Sequence, residues 1–316
     1  MSTYAGVDVG GTKILAGAVD GDGAVRARAR VATPQDSTPE EMTDAIAEAV
    51  RQVAESVELE GVGVGVAAYV NADRSRAMFA PHLPFRDYPL DEALQDRLNL
   101  PVVIENDANA AIWAESRFGV AAGVAELIGV TLGTGVGGAV IIAGHIQRGA
   151  NGMGGEFGHI RVVPDGHPCK CGQRGCLEQY ASGTALTRYG RELVAEKGEG
   201  AGMLHHLCEG KADKVTGPMV SEAALAGDAQ ARAIFGTLAD WLGAGLGSLT
   251  AALDPSLIVV GGGLVEVSEL YLDRLREAFA ASLTGKDYRQ VPDIVPAKLG
   301  QDAGFLGAAD LAATGG

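Results

Sequence analysis

The sequence predicts an α/β protein of two domains, and three observations carry that expectation. The chain has 316 residues, more than one hydrophobic core ordinarily serves, since single cores stop growing near about 250–300 residues. Runs of β-favouring residues alternate with stretches of helical periodicity, the pattern of sheets covered by helices. One local plan also occurs twice: Val7-Asp8-Val9-Gly10-Gly11-Thr12 and Val130-Thr131-Leu132-Gly133-Thr134-Gly135 each read as strand, glycine–hydroxyl turn, strand. Their separation is too long for a solenoid repeat and suits two half-molecules of like design. Two unrelated glycine hairpins would give the same pattern.

The elements follow in order. Tyr4 to Val9 is an apolar strand, Gly10 to Lys13 a turn, and Ile14 to Val19 a second strand. Gly21-Asp22-Gly23 leads into a third, Ala24 to Val31. Thr38-Pro39-Glu40-Glu41 has a cap, a proline and an acidic first turn, opening a helix to about Val57. Its apolar face is Met42, Ile46, Val50, Val53 and Val57. Gly61 to Val70 reads as one buried strand, and the stretch through Pro81, Pro84 and Pro89 as irregular. A helix from Asp91 to Leu98, a strand from Val102 to Glu105 and a helix from Ala108 to Phe118 come next.

Leu127 to Gly144 carries no charge and has the length of a membrane span. Its six glycines and its β-branched residues fit a buried hairpin better, so no membrane segment is expected. A loop-rich region follows over 148–178, then helices from Ser182 to about Leu253. The strand Leu257 to Val260 runs into Gly261-Gly262-Gly263. A helix near Glu269 to Ser282, a short strand at Ile294-Val295 and a helix from Gly304 to Ala313 complete the chain.

Composition narrows the function. Glycine supplies 46 residues, roughly twice the usual share of about 7%, without collagen's period. An apolar share of 47% excludes a disordered chain. The net charge of −15 leaves no cationic surface for nucleic acid. An anionic substrate would therefore need local donors or a divalent metal. The first six residues lack a basic and apolar leader, which points to the cytoplasm.

Several residues have the chemistry for a site. The two glycine turns suit phosphate cradles, because glycine lets backbone N–H groups converge on an anion and threonine adds a hydroxyl. Neither fits a P-loop or a Rossmann fingerprint. Asp8, just before the first turn, could hold Mg²⁺ or cap the turn. Asp107 follows a strand end, where open α/β sheets bind ligands, and could take a proton from a hydroxyl beside Asn106. Spacing alone favours a helix N-cap for Asp107. Cys169, Cys171 and Cys176 with His159 form a Cys₃His set of structural-zinc composition, with a disulfide as the rival reading. Glu156 and Glu178 bracket that loop and suit a polyol, or else are solvated surface. Cys208, Trp113 and Trp241 read as core, and the other histidines carry no pattern.

Taken together, Asp8-Val9-Gly10-Gly11-Thr12-Lys13, Glu105-Asn106-Asp107, Gly133-Thr134-Gly135, Gly155-Glu156-x-Gly158-His159, Cys169-x-Cys171-Gly172-x3-Cys176 and Gly261-Gly262-Gly263 resemble, in order, the ROK family of sugar kinases. The resemblance spans essentially the whole chain and is nearest to that family's ATP-dependent bacterial glucokinases. It implies an actin-like ATPase (ribonuclease H-like) fold, with two domains around a cleft and the last helix packing on the first domain. The expected small domain is 1–107 with 300–316, and the large one 108–299.

The same resemblance implies transfer of the γ-phosphate of ATP to the 6-hydroxyl of glucose. Asp107 would be the general base, and Asn106, Asp107, Glu156, His159 and Glu178 the sugar ligands. Asp8, Gly10, Gly11, Thr12 and Lys13, with Gly133, Thr134 and Gly135, would serve the phosphates and Mg²⁺. Gly261, Gly262 and Gly263 would meet the adenosine, and His159, Cys169, Cys171 and Cys176 a structural zinc. A homodimer or homotetramer is implied as well. The sequence departs from the family at Ala67-Ala68, where many relatives have Pro-Gly, and at Pro81-His82-Leu83-Pro84, where many have an asparagine. Both departures bear on the sugar. They leave the hexose less fixed than the reaction; the alternatives are a kinase for another hexose or an N-acylated hexosamine, one that uses polyphosphate as donor, or a sugar-responsive regulator of the same fold.

Overall fold

A computed structural model describes residues 2–315. The strands are β1 (Thr3–Val9), β2 (Lys13–Asp20), β3 (Val25–Ala32), β4 (Gly61–Val66), β5 (Tyr69–Val70), β6 (Ala77–Phe79), β7 (Arg86–Tyr88), β8 (Val102–Asn106), β9 (Leu127–Leu132), β10 (Val136–Ile142), β11 (His145–Ile146), β12 (Leu257–Gly261) and β13 (Asp293–Pro296). The helices are α1 (Pro39–Ala54), α2 (Leu90–Leu98), α3 (Asp107–Phe118), α4 (Gly183–Lys197), α5 (Met203–Leu207), α6 (Gly217–Leu225), α7 (Ala229–Leu253), α8 (Leu272–Ser282) and α9 (Ala303–Thr314). Among the described residues no helix is long and apolar enough to cross a membrane.

The chain divides into two compact units, 1–129 with 138–155 and 297–316, and 130–137 with 156–296. The boundary expected at 107 therefore falls inside the first unit. The cause is packing: buried residues of α3 and α9, including Ala114, Phe305, Leu306 and Ala309, share one apolar cluster. Asp310 of α9 also accepts bonds from Trp113 Nε1 at 2.7 Å and Arg117 Nε at 3.0 Å on α3.

Two five-stranded sheets run β3-β2-β1-β4-β8 and β11-β10-β9-β12-β13. In the first, β1 pairs antiparallel with β2 and parallel with β4, and β4 pairs parallel with β8. In the second, β10 and β11 are antiparallel and β12 and β13 parallel. Strand for strand the order is the same, so the likeness of the two hairpin sequences extends to their sheets.

The first unit packs α1 and α2 on β1, β4 and β8 through Met42, Ile46, Val50, Val53, Leu90, Leu94, Val64 and Ile104, all buried. A capping box sets the start of α1: the Thr38 side chain accepts from Glu41 N at 3.2 Å, and Glu41 Oε2 accepts from Thr38 N at 2.8 Å. On β1 and β4, α9 lies so close that a Cβ at Gly6 or Gly63 would overlap the carbonyls of Phe305 and Ala308. In the second unit Phe235, Leu242, Leu246, Ile258, Val260, Tyr271, Leu275 and Phe279 are buried.

Local departures have plain causes. The strand expected over Gly61–Val70 ends at Val66, where Ala68 N–H donates to the Val66 carbonyl at 2.7 Å and turns the chain. Tyr69–Val70 then joins β6 and β7 in a small antiparallel sheet. That sheet occupies the stretch expected to be irregular, because its prolines lie outside these short strands. The helix expected from Glu269 begins at Leu272, after a 3₁₀ segment over Gly263–Leu270.

Candidate active site

In the first unit the carboxyl ends of β1, β4 and β8 lie side by side, with Asp8 opposite Gly65 and Gly65 opposite Glu105. Asp8 is half-buried, and its pKa is pushed up to about 7 by burial and by the Asp107 carboxylate, against the opposing pull of Lys13. The turn after it is closed by Gly10 N–H to the Lys13 carbonyl at 3.0 Å and braced by the Thr33 hydroxyl on the Gly10 carbonyl at 2.7 Å.

At the end of β8 the N-cap is Asn106 and not Asp107, which corrects the reading favoured by spacing. Asn106 Oδ1 accepts from the N–H groups of Ala108 at 2.9 Å and Asn109 at 3.1 Å. Its Nδ2 donates to the Ala68 carbonyl at 3.2 Å, so the departing Ala67-Ala68 segment meets Asn106 directly. The Asp107 carboxyl, thereby freed from capping, opens α3 as its first residue. Burial raises its pKa, partly offset by N–H donation from Ala108 and from its own backbone. A carboxylate held in this way binds a proton more strongly than one in water.

The second unit brings together a second set. Gly133 N–H donates to the Gly135 carbonyl at 3.0 Å, closing the second turn, and the Thr184 hydroxyl braces it on the Thr134 carbonyl at 2.7 Å. Glu178 Oε2 accepts from Val136 N–H at 3.1 Å. A Cβ at Gly135 would overlap that same oxygen, so a larger residue there would force the carboxylate to shift. Glu178 is thus tied to the second glycine turn and is not free surface. Gly262 likewise backs onto Leu132. Sequence reasoning missed Thr33 and Thr184, for no local pattern links a hydroxyl to a turn so distant in the chain.

One ligand atom from each of His159, Cys169, Cys171 and Cys176 lies within 4.8 Å of all the others. His159 Nδ1 is 3.7 Å from Cys169 Sγ, and Cys171 Sγ is 3.7 Å from Cys176 Sγ. Tetrahedral zinc with sulfur at about 2.3 Å would set sulfur–sulfur edges of about 3.8 Å, so the set fits that ion. All four cysteines are free thiols, which removes the disulfide reading for this structure. Burial and the neighbouring sulfurs push Cys176 up to about 12, so a dication would have to displace its proton. With Nδ1 at the cluster, His159 Nε2 lies 3.9 Å from Glu156 Oε2. A hollow of about 410 Å³ lined by Leu225, Arg232, Glu269 and Leu270 contains none of the expected site residues.

The paired sheets, each leading its central strand into a braced glycine turn, define the actin-like ATPase class of fold. Within that class the chain belongs to the ROK family, whose model matches residues 4–314. It is 47% identical over 312 residues to a glucokinase of Streptomyces coelicolor, covering 99% of this chain and 98% of that one. The crystal structure of a ROK family glucokinase from Streptomyces griseus in complex with glucose and AMPPNP matches with a TM-score of 0.90 at 47% identity, over 99% of both chains. An N-acetylmannosamine kinase of Escherichia coli is 32% identical, over 99% of this chain and 98% of that one.

Proposed function

We propose that this protein is an ATP-dependent glucokinase in which Asp107 is the general base. The observation that carries the reading is the β8–α3 junction. Asn106 takes over the helix cap, and the Asp107 carboxyl is left at a strand end with its pKa raised by burial. Asp107 would accept the proton of the sugar 6-hydroxyl as that oxygen attacks the γ-phosphate of ATP. Asn106 has spent its oxygen and one N–H on the protein, which leaves its second N–H for a sugar hydroxyl. Glu156, Glu178 and His159 Nε2 would accept from or donate to the others.

The backbone of Gly10 to Thr12 and Gly133 to Gly135, with Lys13, would cradle the phosphates, and Gly261 to Gly263 would meet the adenosine. Asp8 fits magnesium. Its carboxyl is half-buried beside a second carboxyl, and a dication would relieve both the burial and the repulsion. The metal supplies charge neutralisation on the transferring phosphate. The zinc cluster would order the loop between Glu156 and Glu178 without taking part in transfer, since all four of its positions are protein ligands.

The test is glucose 6-phosphate formation from glucose and MgATP by the purified protein. Sugar-dependent turnover of about 1–100 s⁻¹ is expected. Product from N-acetylmannosamine but not from glucose would replace the proposed substrate. Turnover with polyphosphate alone would replace the donor.

A further inference from the structure

Beside the β8–α3 junction, Glu105 is a carboxylate buried at 3% exposure. Its Oε1 accepts from Asn109 Nδ2 at 2.9 Å and from Asn106 N–H at 3.1 Å. Its Oε2 accepts from Arg148 Nε at 2.7 Å, and Arg74 Nη1 stands 3.9 Å away. Both arginines are themselves largely buried, at 17% and 18%.

Each arm of this cluster is fixed from its own side. Arg74 sits at φ 55° in a turn clasped by Asn71, whose Oδ1 accepts from Ser75 and Arg76 N–H groups at 2.9 Å each. The Arg74 carbonyl accepts from Ile104 N–H on β8 at 3.2 Å. The Arg148 carbonyl accepts from Gly154 N–H at 2.9 Å, closing a turn that contains Gly152. Gly152, at φ 80°, presses so tightly on Val70 and Asn71 that a Cβ there would overlap them. Three segments thus converge on one carboxylate: residues 71–76, residues 148–154 and the β8–α3 junction.

The charge count is uneven, with two guanidinium groups to one carboxylate. Of the five buried side-chain polar atoms without a hydrogen-bond partner among the described residues, three belong here: Arg74 Nη1, Arg148 Nη2 and Asn109 Oδ1. An apolar cluster would fill this space at lower cost, since buried ion pairs seldom add stability over well-packed apolar groups. What the ionic cluster provides is direction. It holds the Asn106 N–H and the first turn of α3 in one orientation and ties both to the segment that precedes Glu156 in the chain.

We propose that Glu105 is a positioning residue for sugar binding, acting through Asn106, Asn109 and Arg148. The proposal rests on the kinase reading above. It is tested with kcat and the separate KM values for glucose and ATP in Glu105→Gln, Arg148→Met and Arg148→Lys, with melting temperature and metal content checking the fold. Glu105→Gln and Arg148→Met are expected to raise the glucose KM about tenfold or more while the ATP KM stays within about twofold. Arg148→Lys, which keeps the charge, should recover at least half of that loss on a logarithmic scale. Folded variants with unchanged glucose parameters, or with equal rises in both KM values, overturn the positioning role alone. A wild type that turns over no glucose overturns the kinase reading, and the positioning role falls with it. Should Glu105→Gln fail to fold, the Arg148 pair decides by the same criteria.

Discussion

Two residues before its first glycine, the turn after β1 has Asp8, whereas the turn after β9 has Thr131. Three residues after that glycine, the first turn has Lys13 and the second Val136. The two frames share the same devices, though their turns close at different spacings. Each turn is closed by an N–H of its first glycine at 3.0 Å, each is braced by a threonine hydroxyl at 2.7 Å, and each sits at the same place in sheets of the same strand order. The frame is backbone hydrogen bonding and strand order, which tolerate many sequences. The charge is two side chains, and only one copy has them. The same asymmetry continues at the sheet edges: β8 ends at Asn106 and is followed by Asp107, while β13 ends at Pro296 and is followed by Ala297. Duplicated architecture therefore supplies the same frame twice, and single charged side chains set the two halves apart.

The sharpest way to break that comparison is Asp107→Asn. If chemistry resides in the first unit's β8–α3 junction, the variant should lose at least about 10²-fold in kcat, the usual worth of a positioned base. Glucose binding, measured by intrinsic fluorescence, should survive within about threefold, because Asn106 and not Asp107 holds the helix cap. Near-normal turnover would remove Asp107 from the mechanism and with it the claimed asymmetry.

A smaller effect is expected from the second unit. Purified wild type should carry one zinc per chain, and Cys171→Ser should lose it. The four ligand residues lie on the loop between Glu156 and Glu178, and Glu178 reaches the second turn through Val136 N–H. The glucose KM is therefore expected to rise about tenfold and the ATP KM to move much less. A metal-free wild type, or a variant impaired equally for both substrates, would contradict this division of labour.

The sequence made the frame legible because strands, glycine turns and caps leave local marks. The twin hairpins, the α1 capping box and the spacing of the Cys₃His set could be read from neighbouring residues alone. Spacing misassigned the cap at β8, since Asn106 and Asp107 are both good caps and only the geometry decides between them. Glu105 stood beside that pair with no visible role, because its partners Arg74 and Arg148 lie far off in the chain. The Thr33 and Thr184 braces were hidden for the same reason. The small β5-β6-β7 sheet was obscured by prolines that lie just outside its strands. Long-range side-chain pairing, absent from any local window, accounts for most of what was missed.

The subtlest probe of the comparison is pH. Asp8 has a folded pKa of about 7, against an ordinary value of 3.8. Between those values the folded protein keeps a proton that the unfolded chain releases. The neutral carboxyl's contribution is thus fully present below pH 3.8 and is lost as pH rises through about 7. Asp8→Asn never ionises, so without added magnesium its melting temperature should gain on wild type from pH 4 to pH 7 and then level off. The slope has an upper limit of about 1.4 kcal/mol per pH unit. Thr131→Val, at the matching site of the other hairpin, removes no titrating group and should shift the melting temperature equally at all pH values. Added magnesium at pH 8 should stabilise wild type more than Asp8→Asn, because the ionised carboxylate then gains a partner. A pH-independent difference for Asp8→Asn would mean that burial does not hold its proton, and the two hairpins would then differ in sequence but not in electrostatics.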